Sequence, residues 1–216
     1  MCSAFFCAIL RAMNMPLKFD QRLKQGFADY QPHTFSSDGL QAAVLVPLIL
    51  YPEPSVLLTV RAAHLNSHPG EVSFPGGMVE AIDRSLAHTA LRETFEEIGL
   101  EPARFEVIGA LSTTLSKNGV LVHPFVGLAE SADGAQPSPD EIAEIFTVPW
   151  SFFASQAPQM QVTHRHGIEI QIPHFHYQGK HIWGLTAMIL LELINLLEGS
   201  QWPTPDFASA NVPVIG

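Results

Sequence analysis

Residues 92–99, RETFEEIG, decide the fold of this chain, together with the glycine pair Gly76-Gly77 that precedes them. Successive residues of an α-helix lie about 100° apart, so Glu93, Glu96 and Glu97 would share an arc of roughly 100°. Three neighbouring carboxylates repel one another, and near a helix C-terminus they face the unfavourable end of the helix dipole. Bound Mg²⁺ or Mn²⁺ would remove this repulsion, because both ions take oxygen ligands and bridge to phosphates.

A solvated, charged helix face is the competing interpretation, and a bare RExxEE pattern does not separate the two. Here the pattern also has the glycine pair upstream, an acid at Asp83 and a glycine stop at Gly99. The glycine pair lets backbone approach the carboxylates closely, and the carbonyl of Gly77 could complete a metal shell. Arg92 lies four residues before Glu96 and can hold it by a charge-assisted contact. The combination favours the metal site.

The apolar residues around this stretch predict that it lies on a helix over residues 85–98. They recur at three- and four-residue steps and would form one buried stripe: Leu86, Ala90, Leu91, Phe95 and Ile98. Asp83 or Ser85 can cap the start of the helix. Gly99 is placed to end it in the left-handed conformation.

Composition excludes several classes of protein. The chain has 216 residues, of which 47% are hydrophobic and 15% charged, and these values are typical of one packed domain. The net charge of −10 argues against a nucleic-acid surface. The only cysteines, Cys2 and Cys7, allow no disulfide framework across the domain, which suits a reducing cytoplasm. The longest later apolar stretch, residues 187–197, contains Glu192 and is too short to span a bilayer, so no membrane partner is expected.

The order of apolar runs predicts one α+β domain, an α/β/α sandwich with a mixed sheet. Residues 42–50 and 56–61 flank a proline-rich turn and are predicted to be adjacent strands. Further strands are predicted at 105–111, 120–128 and 142–148 and within 159–183, and a last helix at 185–197. The domain is expected over residues 40–200. A partly disordered extension with a short helix near 21–28 occupies 1–39, and a coil tail occupies 201–216. The sequence carries no signal on oligomeric state.

Two His-x-His pairs, His164/His166 and His174/His176, could ligate zinc, because on a strand each pair points to one face. No acid or cysteine is spaced to complete such a site. We therefore interpret both pairs as the polar face of a hairpin.

The glycine, the acid and the RExxEExG run resemble the Nudix box. Two features depart from the generic box: Asp83 stands where glutamate is usual, and the gap to Arg92 is one residue longer. Both departures resemble the coenzyme A diphosphatase branch of that family. Residues 57–77, LLTVRAAHLNSHPGEVSFPGG, and 182–187, IWGLTA, look like signatures of the same branch. The resemblance covers roughly residues 42–197, with one mismatch, Asn66, where the branch usually has arginine.

The resemblance implies a metal-dependent hydrolase acting on a small nucleotide. Its substrate would be coenzyme A or an acyl derivative, cut to 3′,5′-ADP and 4′-phosphopantetheine. A broader hydrolase of NADH, ADP-ribose or dinucleotides is the alternative. A third interpretation is a Nudix-fold module that binds nucleotides without cutting them, but such modules typically lose box carboxylates that this chain keeps.

The resemblance also assigns roles to individual residues. The metal ligands are Glu93, Glu96 and Glu97, and Glu93 is the group expected to orient or deprotonate the attacking water. Glu141 is the candidate for a second acid from a loop, with Glu144 behind it, although an exposed loop carboxylate without a role is an equal alternative. Substrate contacts are expected within the 57–77 signature, at Arg61, Asn66 and His68, where His68 either touches substrate or braces its loop.

Overall fold

The computed structural model describes residues 18–36, 38–165 and 168–203. The helices are α1 (Phe19–Ala28), α2 (Leu86–Ile98), α3 (Trp150–Ser155) and α4 (Gly184–Glu198), and a 3₁₀ turn spans Pro102–Arg104. The strands are β1 (Gln41–Ile49), β2 (Ser55–Arg61), β3 (Val72–Ser73), β4 (Gly76–Met78), β5 (Glu106–Ala110), β6 (Thr114–Leu115), β7 (Leu121–Ala129), β8 (Ile142–Pro149), β9 (Gln159–Arg165), β10 (Ile168–Tyr177) and β11 (Lys180–Ile182).

The first eight strands form one mixed sheet, which confirms the predicted architecture. Its central order is β3-β2-β1-β7-β5, with β4 also paired to β1, β6 to β7 and β8 to β2. β1 and β7 run parallel, from Gln41 opposite Leu121 to Ile49 opposite Ala129. β1 and β2 are antiparallel neighbours, as predicted. Strands β9, β10 and β11 form a separate antiparallel sheet.

Alternating side chains of β1 supply two cores, one on each face of the mixed sheet. Val46 and Leu48 pack in a cluster that includes residues of α1 and α4. Ala43 and Leu45 pack in a second cluster with Ala90 and other residues of α2. Because side chains alternate across a strand, one apolar run can bury both faces. The helices on the two faces give the α/β/α sandwich.

Helix α2 agrees with the predicted helix to within one residue. The Ser85 hydroxyl accepts a hydrogen bond from the His88 amide at 3.1 Å, and Gly99 ends the helix with φ 70°. The predicted buried stripe is wrong at Phe95, which is 43% exposed. Thr94 is buried instead, and its hydroxyl donates to the carbonyl of Ala90 at 2.6 Å. A threonine whose hydroxyl bonds its own helix can face a core, and apolar spacing alone does not reveal this.

Residues 18–36 of the N-terminal extension pack on the domain. Leu23 of α1 is fully buried. Arg22 donates to the carbonyl of Leu197 at 3.1 Å and to the carboxylate of Glu198 at 2.8 Å, and so ties α1 to α4. The interpretation of residues 1–17 lies outside the described residues, as does that of 204–216. None of the helices within the described ranges is long and apolar enough to cross a membrane.

Candidate active site

The glycine pair brings strand β4 against the carboxylates of α2. A Cβ atom at Gly77 would lie 2.4 Å from the carboxyl carbon of Glu93, and one at Gly76 would lie 2.4 Å from the carbonyl oxygen of Ala43. Neither position accommodates a larger residue without movement. The Gly76 amide also donates to Glu97 Oε2 at 3.2 Å. The close approach expected from the glycine pair is therefore present.

Glu97 is a buried carboxyl group whose charge is only partly compensated. Its side chain is 3% exposed. Burial raises its pKa to about 8, against the opposing effects of the Gly76 amide and the Arg61 guanidinium. Arg61 Nη1 lies 4.0 Å from Glu97 Oε1, at the limit of an ion pair. Arg61 Nε is buried without a hydrogen-bond partner. A buried negative charge with such weak compensation is suited to a cation.

Glu93 lies beside Glu97, and its side chain is also largely removed from solvent. Burial raises its pKa, the contact with Arg92 opposes this effect, and repulsion from Glu96 and Glu141 adds to it. Repulsion from Glu141 also raises the pKa of Glu97. The loop carboxylate of Glu141 is therefore close enough to act on both helix carboxylates, although its own side chain is exposed.

Arg92 is clamped between the helix and the loop that precedes it. It donates to both oxygens of Asp83 at 3.0 Å, to the carbonyl of Met78 at 3.1 Å and to Glu96 at 3.0 Å. Asp83 is 1% exposed, and Arg92 holds the pKa of this carboxyl well below its usual range. Arg92 also lies 2.9 Å from Glu93. The box arginine thus orients two carboxylates at once, and Asp83 fixes the arginine.

Tertiary contacts separate the three box glutamates into two groups. Glu96 is 54% exposed and paired with Arg92, whereas Glu93 and Glu97 face β4. Among the described residues, no group of three His, Cys, Asp or Glu side chains is arranged to hold a metal ion by itself. Two converging carboxylates with raised pKa values beside the closely approaching backbone of β4 nevertheless provide hard oxygen donors, which suit Mg²⁺ or Mn²⁺.

The Glu141 loop is anchored to both helix α2 and strand β2. The Ser138 amide donates to the carbonyl of Glu97 at 2.8 Å, and the Ala62 amide donates to the carbonyl of Glu141 at 2.8 Å. His64 Nε2 lies 3.0 Å from the carbonyl oxygen of Asp140. No local sequence pattern marks His64 as part of the site, because its partner lies 76 residues away along the chain.

Glu144, the second candidate for the loop acid, lies elsewhere. It shares a strand face with Phe146, which packs on the core that contains α4, whereas α2 lies on the opposite face. Glu144 also forms an ion pair with Lys180 of β11. Strand alternation therefore directs Glu144 away from the box glutamates.

The expected substrate residues occupy the segment between β2 and β3. Arg61 is the last residue of β2 and reaches toward Glu97. His68 is exposed and lies 2.8 Å from the carboxylate of Glu71, a contact that braces its own loop. Asn66 is exposed on the same loop. Of these three residues, the structure brings only Arg61 into contact with a box glutamate.

The second His-x-His pair forms a different arrangement. His174 and His176 lie on β10, and His174 Nδ1 is 2.7 Å from His181 Nε2 of β11. His176 stacks on His181 with ring centroids 4.5 Å apart. His174 is buried, which corrects the expectation of a wholly polar face. His166 and the side chain of His164 lie outside the described residues.

Comparison with known proteins places this chain in a family. The NUDIX domain model matches residues 39–168. An uncharacterized Nudix hydrolase NudL from Photorhabdus laumondii is 40% identical over 163 residues, which cover 75% of this chain and 87% of that protein. Another NudL, from Pectobacterium atrosepticum, is 39% identical over 160 residues, which cover 71% and 80%. The solved structure of a C. elegans Ap4A hydrolase binary complex matches with 21% identity and a TM-score of 0.44, over 51% of this chain and 80% of that chain.

The domain match spans more than half of the chain, and it includes the glycine pair, the Arg92 clamp and the box glutamates. Both relatives are covered over at least 80% of their length at about 40% identity. Members of this family cut diphosphate linkages in nucleotide-derived molecules and typically depend on a divalent metal. This chain therefore belongs to the Nudix family and is a Nudix hydrolase.

Proposed function

We propose that this hydrolase cuts the diphosphate of coenzyme A or an acyl derivative, yielding 3′,5′-ADP and 4′-phosphopantetheine or its acyl form. The observation that supports the proposal is the position of Arg61. The guanidinium of this residue lies beside the buried carboxylate of Glu97 and has one donor without a partner. It therefore connects the box to the 57–77 segment, whose sequence resembles the coenzyme A branch.

Mg²⁺ or Mn²⁺ would be held by Glu93, Glu96 and Glu97, with the carbonyl of Gly77 beside them. When bound, the ion supplies the positive charge that stabilises the developing charge on the diphosphate. The protein itself holds the carboxylates in position. Arg92 fixes Glu93 and Glu96, and the Gly76 amide fixes one oxygen of Glu97.

We assign to Glu93 the role of orienting or deprotonating the attacking water. This carboxylate is oriented by Arg92 at 2.9 Å, which lets it hold the water in position and accept its proton. Glu141 completes the set from the opposite loop. Hydrolysis at phosphorus with this assembly needs mainly positioning and charge neutralisation.

Substrate preference is assigned to the 57–77 segment, because the box itself would accept almost any diphosphate. Arg61 offers its unpartnered donor to a substrate phosphate. Asn66 stands where the branch usually carries arginine, so one charge-assisted contact is missing. Such a contact is worth roughly 1.5–3 kcal/mol, which corresponds to a tenfold or larger change in KM.

The test compares kcat/KM for coenzyme A, ADP-ribose, NADH and diadenosine polyphosphates in the presence of Mg²⁺. We expect the highest value for coenzyme A. Asn66→Arg should lower KM for coenzyme A more than for ADP-ribose, and Ser67→Arg serves as a control that adds the same charge one residue away. If the protein prefers ADP-ribose and Asn66→Arg changes neither substrate, the coenzyme A assignment fails while the family assignment stands.

A further inference from the structure

We propose that His64 is a positioning residue for Glu141. Its Nε2–H group holds the carbonyl of Asp140 and thereby keeps the Glu141 carboxylate facing Glu93 and Glu97. This inference rests on the proposed role of Glu141 in the reaction.

Hydrogen bonds hold the Glu141 loop at its ends and at its centre, where the Glu141 amide donates to the carbonyl of Ser138 at 3.0 Å. The Ser138 amide is bonded to the end of α2, and the Ile142 amide donates to the carbonyl of Ser138 at 2.7 Å. Between these points, Ala62 holds the carbonyl of Glu141, and His64 holds the carbonyl of Asp140. The two contacts hold the peptide groups on either side of the Glu141 Cα atom. Together they restrict rotation of the backbone that carries the Glu141 side chain.

The contact with a carbonyl oxygen defines which ring nitrogen of His64 carries a hydrogen. A carbonyl oxygen only accepts hydrogen bonds, so Nε2 must carry the hydrogen.

A tether matters here because the Glu141 side chain is exposed, so its direction depends on its backbone more than on surrounding packing. The loop lies against the end of α2, where the Ser138 amide donates to the carbonyl of Glu97 at 2.8 Å. The His64 contact fixes the peptide group that precedes Glu141 and so limits the directions that the side chain can take.

The test is a double-mutant cycle on kcat and KM in the full-length protein. His64→Ala should lower kcat about tenfold with KM changed less than twofold, because displacing a reacting group by about 1 Å costs rate rather than binding. His64→Gln should restore most of the rate, since its amide can donate at a similar reach. His64→Met, which keeps the bulk but has no donor, should behave like His64→Ala. His33→Ala, at another exposed histidine, is the matched control.

In the Glu141→Gln background, His64→Ala should change kcat less than twofold, because the group that it positions has been removed. An equal loss in both backgrounds, an unchanged rate for His64→Ala, or no rescue by glutamine would overturn the inference. Unfolding temperatures of all variants separate a rate effect from misfolding. If Glu141→Gln alone retains full activity, both the role of Glu141 and the role of His64 fail. Inactivity of Glu97→Gln in the same assay would show that the metal-site proposal survives that result.

Discussion

Two clusters of titratable groups, one of carboxylates and one of imidazoles, lie at different sheets of this protein, and they differ in how their polar atoms are satisfied. The carboxylates of Glu93 and Glu97 face β4 of the mixed sheet, whereas the imidazoles of His174 and His181 lie on the β10–β11 hairpin. Burial raises the pKa of both carboxyl groups and lowers the pKa of both imidazoles. In each cluster the charged form is disfavoured, so burial alone does not distinguish them.

The difference arises from what each group can offer its neighbour. An ionised carboxylate only accepts hydrogen bonds, so two of them cannot satisfy each other. A neutral imidazole has one donor and one acceptor, and His174 and His181 therefore bond directly at 2.7 Å. Once ionised, the carboxylate pair needs an external positive charge, whereas the neutral imidazole pair is complete. A repeated titratable residue thus marks a ligand site only when its members cannot pair with one another.

The largest effect should come from chelation. We expect excess EDTA to abolish turnover, and added Mg²⁺ or Mn²⁺ to restore it, because the carboxylates then lack the cation that balances them. Formation of 3′,5′-ADP from coenzyme A measures the rate. Undiminished activity in excess EDTA would show that the carboxylate cluster, like the histidine pair, needs no cation.

Neutralising one box glutamate should have the next largest effect. Glu97→Gln or Glu93→Gln should lower kcat about 10²-fold or more, because charge that holds the ion is lost from the transition state. The metal-free fold should survive, since glutamine keeps the size and helix propensity of glutamate. Glu106→Gln, in an exposed pair with Lys24, is the control for loss of a surface carboxylate. Near-normal rates in both box variants would show that these glutamates take no part in catalysis.

The contact between β4 and α2 can also be disturbed by a substitution on the strand. Gly77→Ala places a Cβ atom 2.4 Å from the Glu93 carboxyl carbon, so the carboxylate must move. We expect kcat to fall about tenfold or more, as misplacement of a reacting group by about 1 Å is costly. Gly26→Ala on α1 meets only ordinary contacts at 3.5 Å and should leave kcat unchanged. Equal rates for the two variants would show that catalysis does not depend on this close approach.

The smallest effect is expected from the histidine pair, on stability rather than rate. The lowered pKa values of His174 and His181 mean that the unfolded chain binds protons more readily. Stability is therefore full above the unfolded value of about 6.5 and is lost as pH falls below it. His174→Gln should flatten this acid-side loss, by a few degrees of unfolding temperature, with kcat unchanged. His33→Gln is the control. If the unfolding temperatures of wild type and His174→Gln fell in parallel as the pH was lowered, this effect of the histidine pair on stability would be contradicted.

Much of the fold was predictable because it depends on short-range patterns. The turn before β2 and the terminal glycine of α2 each act within a few residues and lie where the sequence placed them, and the helix is capped by Ser85, one of the two candidates. Phe95 was mispredicted because hydrophobic spacing does not register that Thr94 can satisfy its hydroxyl within the helix. The extent to which the N-terminal extension packs on α4 was also missed, since that contact spans 175 residues.

The sequence by itself determined the spacing of the carboxylates and the need for glycine beside them. These depend on helix geometry and on the chemistry of the side chains. Only the tertiary structure decided that Glu97 is buried while Glu96 is exposed, and that His64 holds the loop of Glu141. It also decided that His174 pairs with His181. The physical reason is distance along the chain: burial and hydrogen bonding at these positions depend on partners that only the completed sheet brings together.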